Sequence, residues 1–309
     1  MSSIRIERKM KIGKYIRNNY WLYLFILPGI LFMLVFKYIP MVGIVVAFQD
    51  FKVTRGIFGS DWVGLKHFEY LIKSPDFFRV FRNSILISIY RLVWGFPFPI
   101  LLALLMNEMR AVGYKRVMQT VLYLPHFISW VVVVGMITNL LSPSTGIVNM
   151  AIKALGGEAI PFLTTPKYFR TILVVSDIWK GAGWGTIVYM AAMSGIHPAL
   201  YEAAVIDGAS RWQRIVYVTL PGISSTIVVM LILRTGSILS NGFEQVYLLQ
   251  NALVTEVSEV FETYTYTVGL REGRFSFASA VGIFQSVVGC ILLFTTNGLA
   301  RKIGGNGIW

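Results

Sequence analysis

The sequence holds one cysteine, Cys290, so no disulfide forms within the chain, and cysteine usage leaves the redox compartment open. Charge is scarce: 14% of the 309 residues are charged, where a soluble domain carries about 25%. A soluble enzyme of this length would lack the polar surface it needs. No G-x-x-x-x-G-K-[ST] run occurs, so the chain brings no P-loop of its own to a nucleotide. The three histidines, His67, His126 and His197, stand far apart, with no H-E-x-x-H and no cysteine partner, which gives no zinc site. "GISST" near Gly222 is not a G-x-S-x-G nucleophile turn, and no Ser-His-Asp set is visible. With no convergent acid–base, nucleophile or metal set, nothing in the residues supports a membrane enzyme.

Hydrophobic residues make up 55% of the chain, and apolar runs long enough to cross a bilayer recur along it. The fold class expected is an all-α polytopic membrane protein of about six spans, at roughly 20–46, 82–106, 118–141, 170–194, 222–242 and 277–300. The net charge of +13 raises nucleic acid as a partner, but its placement argues against that. Arg5, Arg8, Lys9, Lys11, Lys14 and Arg17 precede the first span with only Glu7 opposing them, and no basic stripe interleaves with aromatics. The positive-inside rule accounts for this tail and puts the N-terminus in the cytoplasm. The apolar run from Tyr20 to Phe36, continuing past Pro40 to Phe48, is too long for a signal-peptide core and reads as an anchor.

Even parity returns the C-terminus to the cytoplasm, where Arg301 and Lys302 follow the last run. Arg110, Lys115 and Arg116 after span 2, and Arg211 and Arg214 after span 4, face inward on this scheme. Glu244, Glu256, Glu259, Glu262 and Glu272 dominate the loop after span 5, which fits the outside; the loop after span 1 is mixed in sign. In the loop between spans 3 and 4, Pro143, Gly146, Gly156, Gly157, Pro161 and Pro166 interrupt the chain. Within it, Ile147 to Leu155 reads as a short helix on the interface. The organisation is a basic tail (1–19), one membrane domain (20–300) and a short C-terminal tail (301–309), without an internal repeat or low-complexity linker.

One polar segment interrupts this pattern: "LYEAAVIDGASRWQRIVYVTLPG", Leu200 to Gly222. Pro198 suits the first turn of a helix, where its missing N–H costs nothing. Glu202 lies near that helix's N-terminal end, where the macrodipole favours an anion. Gly208 offers the left-handed conformation that ends a helix, and Ser210 with Gln213 has the S-x-x-Q spacing of a capping box. Trp212, Ile215, Val216 and Thr219 then recur at helical spacing as an amphipathic second helix, stopped by Leu220-Pro221-Gly222. On the residues alone, an ordinary interfacial amphipathic hairpin explains the segment equally well.

The motif goes further than that. "EAA", three residues, Gly208, nine residues, then Val218-Thr219-Leu220-Pro221 resembles the EAA loop of permease subunits in ATP-binding-cassette importers, with Val218 where the family has isoleucine. "LPGILFMLVFKYIPMVGIVVAFQDF", "RNSILISI", "FETYTYTVGLREGRFSFASAVGIFQSVVG" and "NGLARKIGGNGIW" look like the carbohydrate-uptake branch, in particular the polysaccharide and complex-oligosaccharide permeases. The resemblance implies a coupling loop at 198–221 that docks in a cytoplasmic ATPase. In it Glu202 contacts a basic group, Ala203 and Ala204 seat the helix closely, Gly208 sets the angle, and Asp207, Arg211, Leu220 and Pro221 complete the motif. It also implies a second permease subunit, two ATP-binding subunits that hold the ATP and Mg, an extracytoplasmic solute-binding protein and a carbohydrate substrate. No cofactor is expected in this chain. The place implied is a bacterial cell membrane.

Ionisable residues within spans are functional candidates. Arg91 lies in span 2, Asp177 and Lys180 at i,i+3 in span 4, and Arg234 in span 5, with Asn241, Glu244 and Gln245 after it, where a polar outer vestibule could begin. Trp179, Trp184 and Tyr189 offer rings on which sugars stack. Against this stand an Asp177–Lys180 structural pair, tryptophans used for packing, and arginines paired with the second permease. "GAGWG", Gly181 to Gly185, is read as close helix packing. The competing functions are an importer permease for an amino acid or peptide, and a secondary transporter. The paired halves with matching interrupted spans that the latter shows are absent from the sequence.

Overall fold

A computed structural model describes residues 12–109 and 111–302; the tail cations Arg5, Arg8, Lys9 and Lys11, the loop residue Arg110 and the segment 303–309 lie outside the described residues. The chain is predominantly helical and divides into two units, one up to His67 and one from Phe68 onward.

In the first unit, helix α1 (Tyr20–Met33) runs on through a π turn (Leu34–Tyr38) and a 3-10 stretch (Ile39–Phe48), together one apolar span of 29 residues. Its apolar side chains point outward, Phe25 being 81% exposed, as a lipid- or protein-facing span requires. Beyond it, β1 (Gln49–Asp50) pairs antiparallel with β2 (Asp61–Trp62). Phe48 stacks on Trp62 at 5.7 Å, and Arg55 bridges Asp61 at 3.0 Å.

The second unit contains α2 (Pro75–Tyr90), a π turn (Arg91–Gly95) and α3 (Pro97–Asn107), a continuous apolar span. Then come α4 (Val112–Phe127) and α5 (Trp130–Leu141), bent by 99° at the break between them, and the short α6 (Ile147–Ala154). The longest element is α7 (Pro166–Ser194), 29 residues, or about 43 Å at helical rise. It leads into α8 (Pro198–Ile206) and α9 (Arg211–Arg214), continued by a π turn (Ile215–Thr219). The remaining long helices are α10 (Ser224–Gly236) and α13 (Phe275–Lys302); α11 (Phe243–Leu249) and α12 (Phe261–Tyr266) lie between them.

Among the described residues three helices are long and apolar enough to cross a membrane, up to five if each bent pair is one span; α7 is long enough but too polar by that measure. The expected single span over 118–141 is therefore two helices. Pro125 removes an N–H inside α4, Ile128 and Ser129 are extended, and the Ser129 hydroxyl caps α5 by accepting from the Val132 N–H. The short helix expected over Ile147 to Leu155 is present as α6.

Packing in the second unit centres on phenylalanines: Phe77, Phe261 and Phe277 are buried together with Val80 and Val281. At one end Glu259 is tied to Arg79 at 2.5 Å. Burial pushes the Glu259 carboxyl above its ordinary range, and the Arg79 guanidinium opposes that rise. The approach of α7 to α4 depends on Gly183, where a Cβ would stand 1.9 Å from the Leu122 carbonyl oxygen. Gly183→Ala is expected to force the helices apart at a cost of about 1–3 kcal/mol. The readout is a lower melting midpoint in detergent. Gly181→Ala, whose Cβ meets nothing within 4 Å, is the control expected to melt like wild type.

Candidate coupling loop and intramembrane polar cluster

The polar segment folds as two short helices at a sharp turn. His197 caps α8, its Nδ1 accepting from the Ala199 N–H at 3.2 Å, and Pro198 occupies the first turn. At the other end Gly208 has φ +74. Its N–H donates to the Val205 carbonyl, while the Ala209 N–H donates to the Ala204 carbonyl, the pair of bonds that closes a Schellman turn. Ser210 then opens α9: its hydroxyl accepts from the Gln213 N–H, and the Gln213 side chain accepts from the Ser210 N–H. The capping box read from the sequence is thus formed. Tyr201 on α8 is hydrogen-bonded to Thr219 at 2.9 Å, which ties the two arms together.

The amphipathic repeat expected through Trp212, Ile215, Val216 and Thr219 differs in outcome. The π turn over Ile215–Thr219 widens the helix, so Thr219 is buried while Trp212 is 71% exposed. Glu202, Ala203, Asp207, Gly208, Arg211 and Pro221 are exposed, with Ala204 and Leu220 half-buried. Ile206 and Tyr217 are exposed beside them at 85% and 75%. Charged and large apolar side chains thus stand uncovered together on this turn.

The second feature lies among the helices. Arg91, in the π turn after α2, is buried; it donates to the Asn241 carbonyl at 2.6 Å and to Gln245 Oε1 at 2.5 Å. Asp177 on α7 faces two guanidinium groups, Arg91 at 3.9 Å and Arg234 at 3.7 Å. The Asn241 side chain accepts from Ser88, and its N–H donates to Glu262. Four of the residues singled out in sequence, Arg91, Asp177, Arg234 and Asn241, therefore meet in one network. The arginines find their counter-ion in this same chain. Gln245, also singled out in sequence, joins them with Ser88 and Glu262; of these last two, Ser88, three residues before Arg91 on the same helix face, carried a local spacing signal.

Lys180 corrects an expectation. Its ammonium makes no bridge to Asp177 among the described residues; it donates to the carbonyls of Pro125, His126 and Ile128 at 3.3, 2.7 and 2.7 Å. Trp184 stacks on His126 at 4.6 Å. A cleft of about 480 Å³ opens there, lined by His126 to Trp130 together with Asp177, Lys180, Gly181 and Glu244. Trp179 lines a separate apolar groove with Val133, Met136 and Tyr168. Tyr189 is 3% exposed in a cluster with Ala103, Met193 and Ile223, so its ring serves the core and has no open face for a sugar.

Residues 95–303 match the family model described as binding-protein-dependent transport system inner membrane component. The chain belongs to this family. It is 49% identical, over 98% of its length and 94% of the relative's, to the polygalacturonan/rhamnogalacturonan transport system permease protein YteP of Bacillus subtilis (strain 168). It is 45% identical to Protein LplB of the same organism, over 95% of this chain and 92% of that one. Among solved structures it matches a chain of a bacterial alginate ABC transporter, crystallised in complex with an alginate pentasaccharide-bound periplasmic protein. The TM-score is 0.87 at 43% identity, covering 96% of this chain and 99% of that one.

As an inner membrane component of a binding-protein-dependent system, the chain is a transport permease subunit, which sets aside a self-powered secondary transporter. The exposed turn and the helix of the polar cluster are joined directly, since α8 follows α7 after three residues and α7 carries Asp177 and Lys180. Ile196, between them, lies against Gly222, where a Cβ would stand 2.7 Å from Ile196 Cδ1. The turn is thereby packed onto the end of the helix that carries the cluster.

Proposed function

We propose that this chain is one permease subunit of an ATP-driven importer, passing an oligosaccharide handed over by an extracytoplasmic binding protein. The observation that carries the reading is the exposed coupling turn, with Glu202, Asp207 and Arg211 set among uncovered apolar side chains. A separate ATPase seats on this loop, 198–221, and holds the ATP and Mg; the chain itself has no catalytic group and no cofactor. A second, homologous permease completes the path, and two ATP-binding subunits drive the pair. Both termini of this chain are cytoplasmic, in a bacterial cell membrane, with the coupling turn on the same side.

Carbohydrate is favoured over an amino acid or peptide by the relatives, whose names specify polygalacturonan, rhamnogalacturonan and, for a permease at 26% identity, arabinooligosaccharides. The cleft beside Asp177 and Glu244, with Trp130 in its wall, and the half-exposed Arg234 are the candidate path. Together they offer carboxylates and a guanidinium for hydroxyls beside an aromatic face, a mixture suited to a saccharide.

The test is a gentle-detergent pull-down of tagged chain from its native host, wild type beside Glu202→Lys. Wild type is expected to bring down an ATP-binding subunit and a second permease. Glu202→Lys is expected to lose the ATP-binding subunit and keep the second permease. Wild type emerging alone, and moving solute into vesicles without ATP, would overturn the proposal.

A further inference from the structure

The break between α4 and α5 sets a problem of physical chemistry. A helix that stops inside a bilayer leaves carbonyls without donors, and such backbone is tolerated at that depth only where something in the protein supplies them. Here the Ile128 N–H reaches back to the Pro125 carbonyl at 3.2 Å, and a single side chain adds donors for the rest of the break. The Lys180 ammonium has three protons and three acceptors, the carbonyls of Pro125, His126 and Ile128, and it lies 5.5 Å from the centre of the Trp130 ring. The last carbonyls of a helix are also where the macrodipole favours a cation. Two further contacts bind the same region to α7: the stacked His126 and Trp184 rings, and the close seat of Gly183 against Leu122.

The charges near this ammonium are Asp177, one turn before it on α7, and Glu244, both lining the cleft; neither bridges it among the described residues. Lys180 is therefore committed to backbone and is not left to a ligand. The segment it holds, His126 to Trp130, is one wall of that cleft.

We infer that Lys180 is a positioning residue: it fastens the α4–α5 break to α7, so that the cleft wall moves with α7 when the coupling turn is driven. The line of force runs from α8, through Ile196 packed on Gly222, along the unbroken α7, to the ammonium and the three carbonyls. Removing the ammonium frees the wall from the helix that should drive it, and ATP is then hydrolysed without the wall following. This inference rests on the reading of the chain as a driven permease.

The experiment uses the whole importer purified from its host and reconstituted in proteoliposomes with its binding protein, comparing wild type, Lys180→Met and Lys180→Arg. Lys180→Met is expected to hydrolyse ATP while solute imported per ATP falls about tenfold, the weight of one charge-assisted hydrogen bond. Lys180→Arg, which keeps the charge and donors, is expected to recover most of that ratio. An unchanged ratio in Lys180→Met overturns the inference.

A second measurement decides the matter even where Lys180→Met fails to assemble. Spin labels at Val131→Cys on α5 and Ile187→Cys on α7, both exposed positions, are placed in a Cys290→Ser background. Their separation is expected to stay the same between nucleotide-free and vanadate-trapped wild-type importer. A change of separation in wild type means the break is not fastened, and the inference fails. If no ATP-binding subunit accompanies the wild-type chain at purification, the failure belongs to the proposed function instead, and it is seen before any Lys180 variant is made.

Discussion

Placing valine at Gly208 is expected to abolish solute import while leaving the chain inserted and folded. Gly208 sits at φ +74 with nothing within 4 Å of where a Cβ would stand, so the whole penalty arises in the backbone. Left-handed conformation costs an ordinary residue about 1–2 kcal/mol, and a β-branched one more, because its Cβ crowds the following carbonyl. A valine therefore relaxes by opening the turn, which breaks the bonds from Gly208 and Ala209 to Val205 and Ala204 and swings α9 away from α8. Asparagine, which tolerates the left-handed region, is expected to retain most of the import, and alanine an intermediate share. Import rates across glycine, asparagine, alanine and valine should follow that order. Equal rates in all four would mean that the angle of this turn does not matter to transport.

The largest loss of stability is expected from Arg91→Met. The guanidinium holds the Asn241 carbonyl and Gln245 Oε1 and faces Asp177, and it is 5% exposed. Methionine fills a similar volume but strands the Asn241 carbonyl and Gln245 Oε1 and leaves Asp177 to Arg234 alone, and breaking one side of a buried charged network costs about 3–5 kcal/mol. The expected outcome is a chain that fails to survive detergent extraction as a monodisperse peak, scored by size-exclusion chromatography of a fluorescent fusion. Arg91→Lys should be a poor substitute, since a point charge cannot span two acceptors held by a planar fork. Arg234→Met, at a half-exposed position whose ion pair among the described residues is the 3.7 Å contact to Asp177, should extract nearly as well as wild type. If Arg91→Met extracts as well as Arg234→Met, the network is not what joins these helices.

Local chemistry was legible in the sequence wherever the partners were neighbours. The Schellman turn at Gly208 and the box between Ser210 and Gln213 are formed within a few residues, and both appear where the residue types called for them. Expectation diverged where partners come from far along the chain. Asp177 and Lys180 share a helix face, which suggested a pair. Yet the carbonyls that Lys180 takes are 52 to 55 residues earlier, exposed by a break that apolar composition conceals. Pro125 was the visible warning, because an apolar run is counted by its content whereas a helix is ended by its backbone. The π turn over Ile215–Thr219 defeated the amphipathic reading for a similar reason: periodicity assumes a constant turn, and one wide turn rotates every later side chain. Tyr189 shows the limit for single residues, since a ring that packs and a ring that binds have the same sequence signature.

The partners of Arg91 have a consequence for how the chain is made. Asn241 and Gln245 lie 150 and 154 residues later. At a synthesis rate of about 5–20 residues per second, the second span leaves the ribosome roughly 8 to 30 s before its acceptors exist. Asp177 emerges in that interval and is the first counter-ion available, ahead of the two neutral acceptors. Until then the guanidinium has to stay near the headgroups or beside the insertion machinery. The bilayer therefore receives this permease in an order that its finished contacts do not follow, and α2 takes its final depth only after most of the protein has been translated.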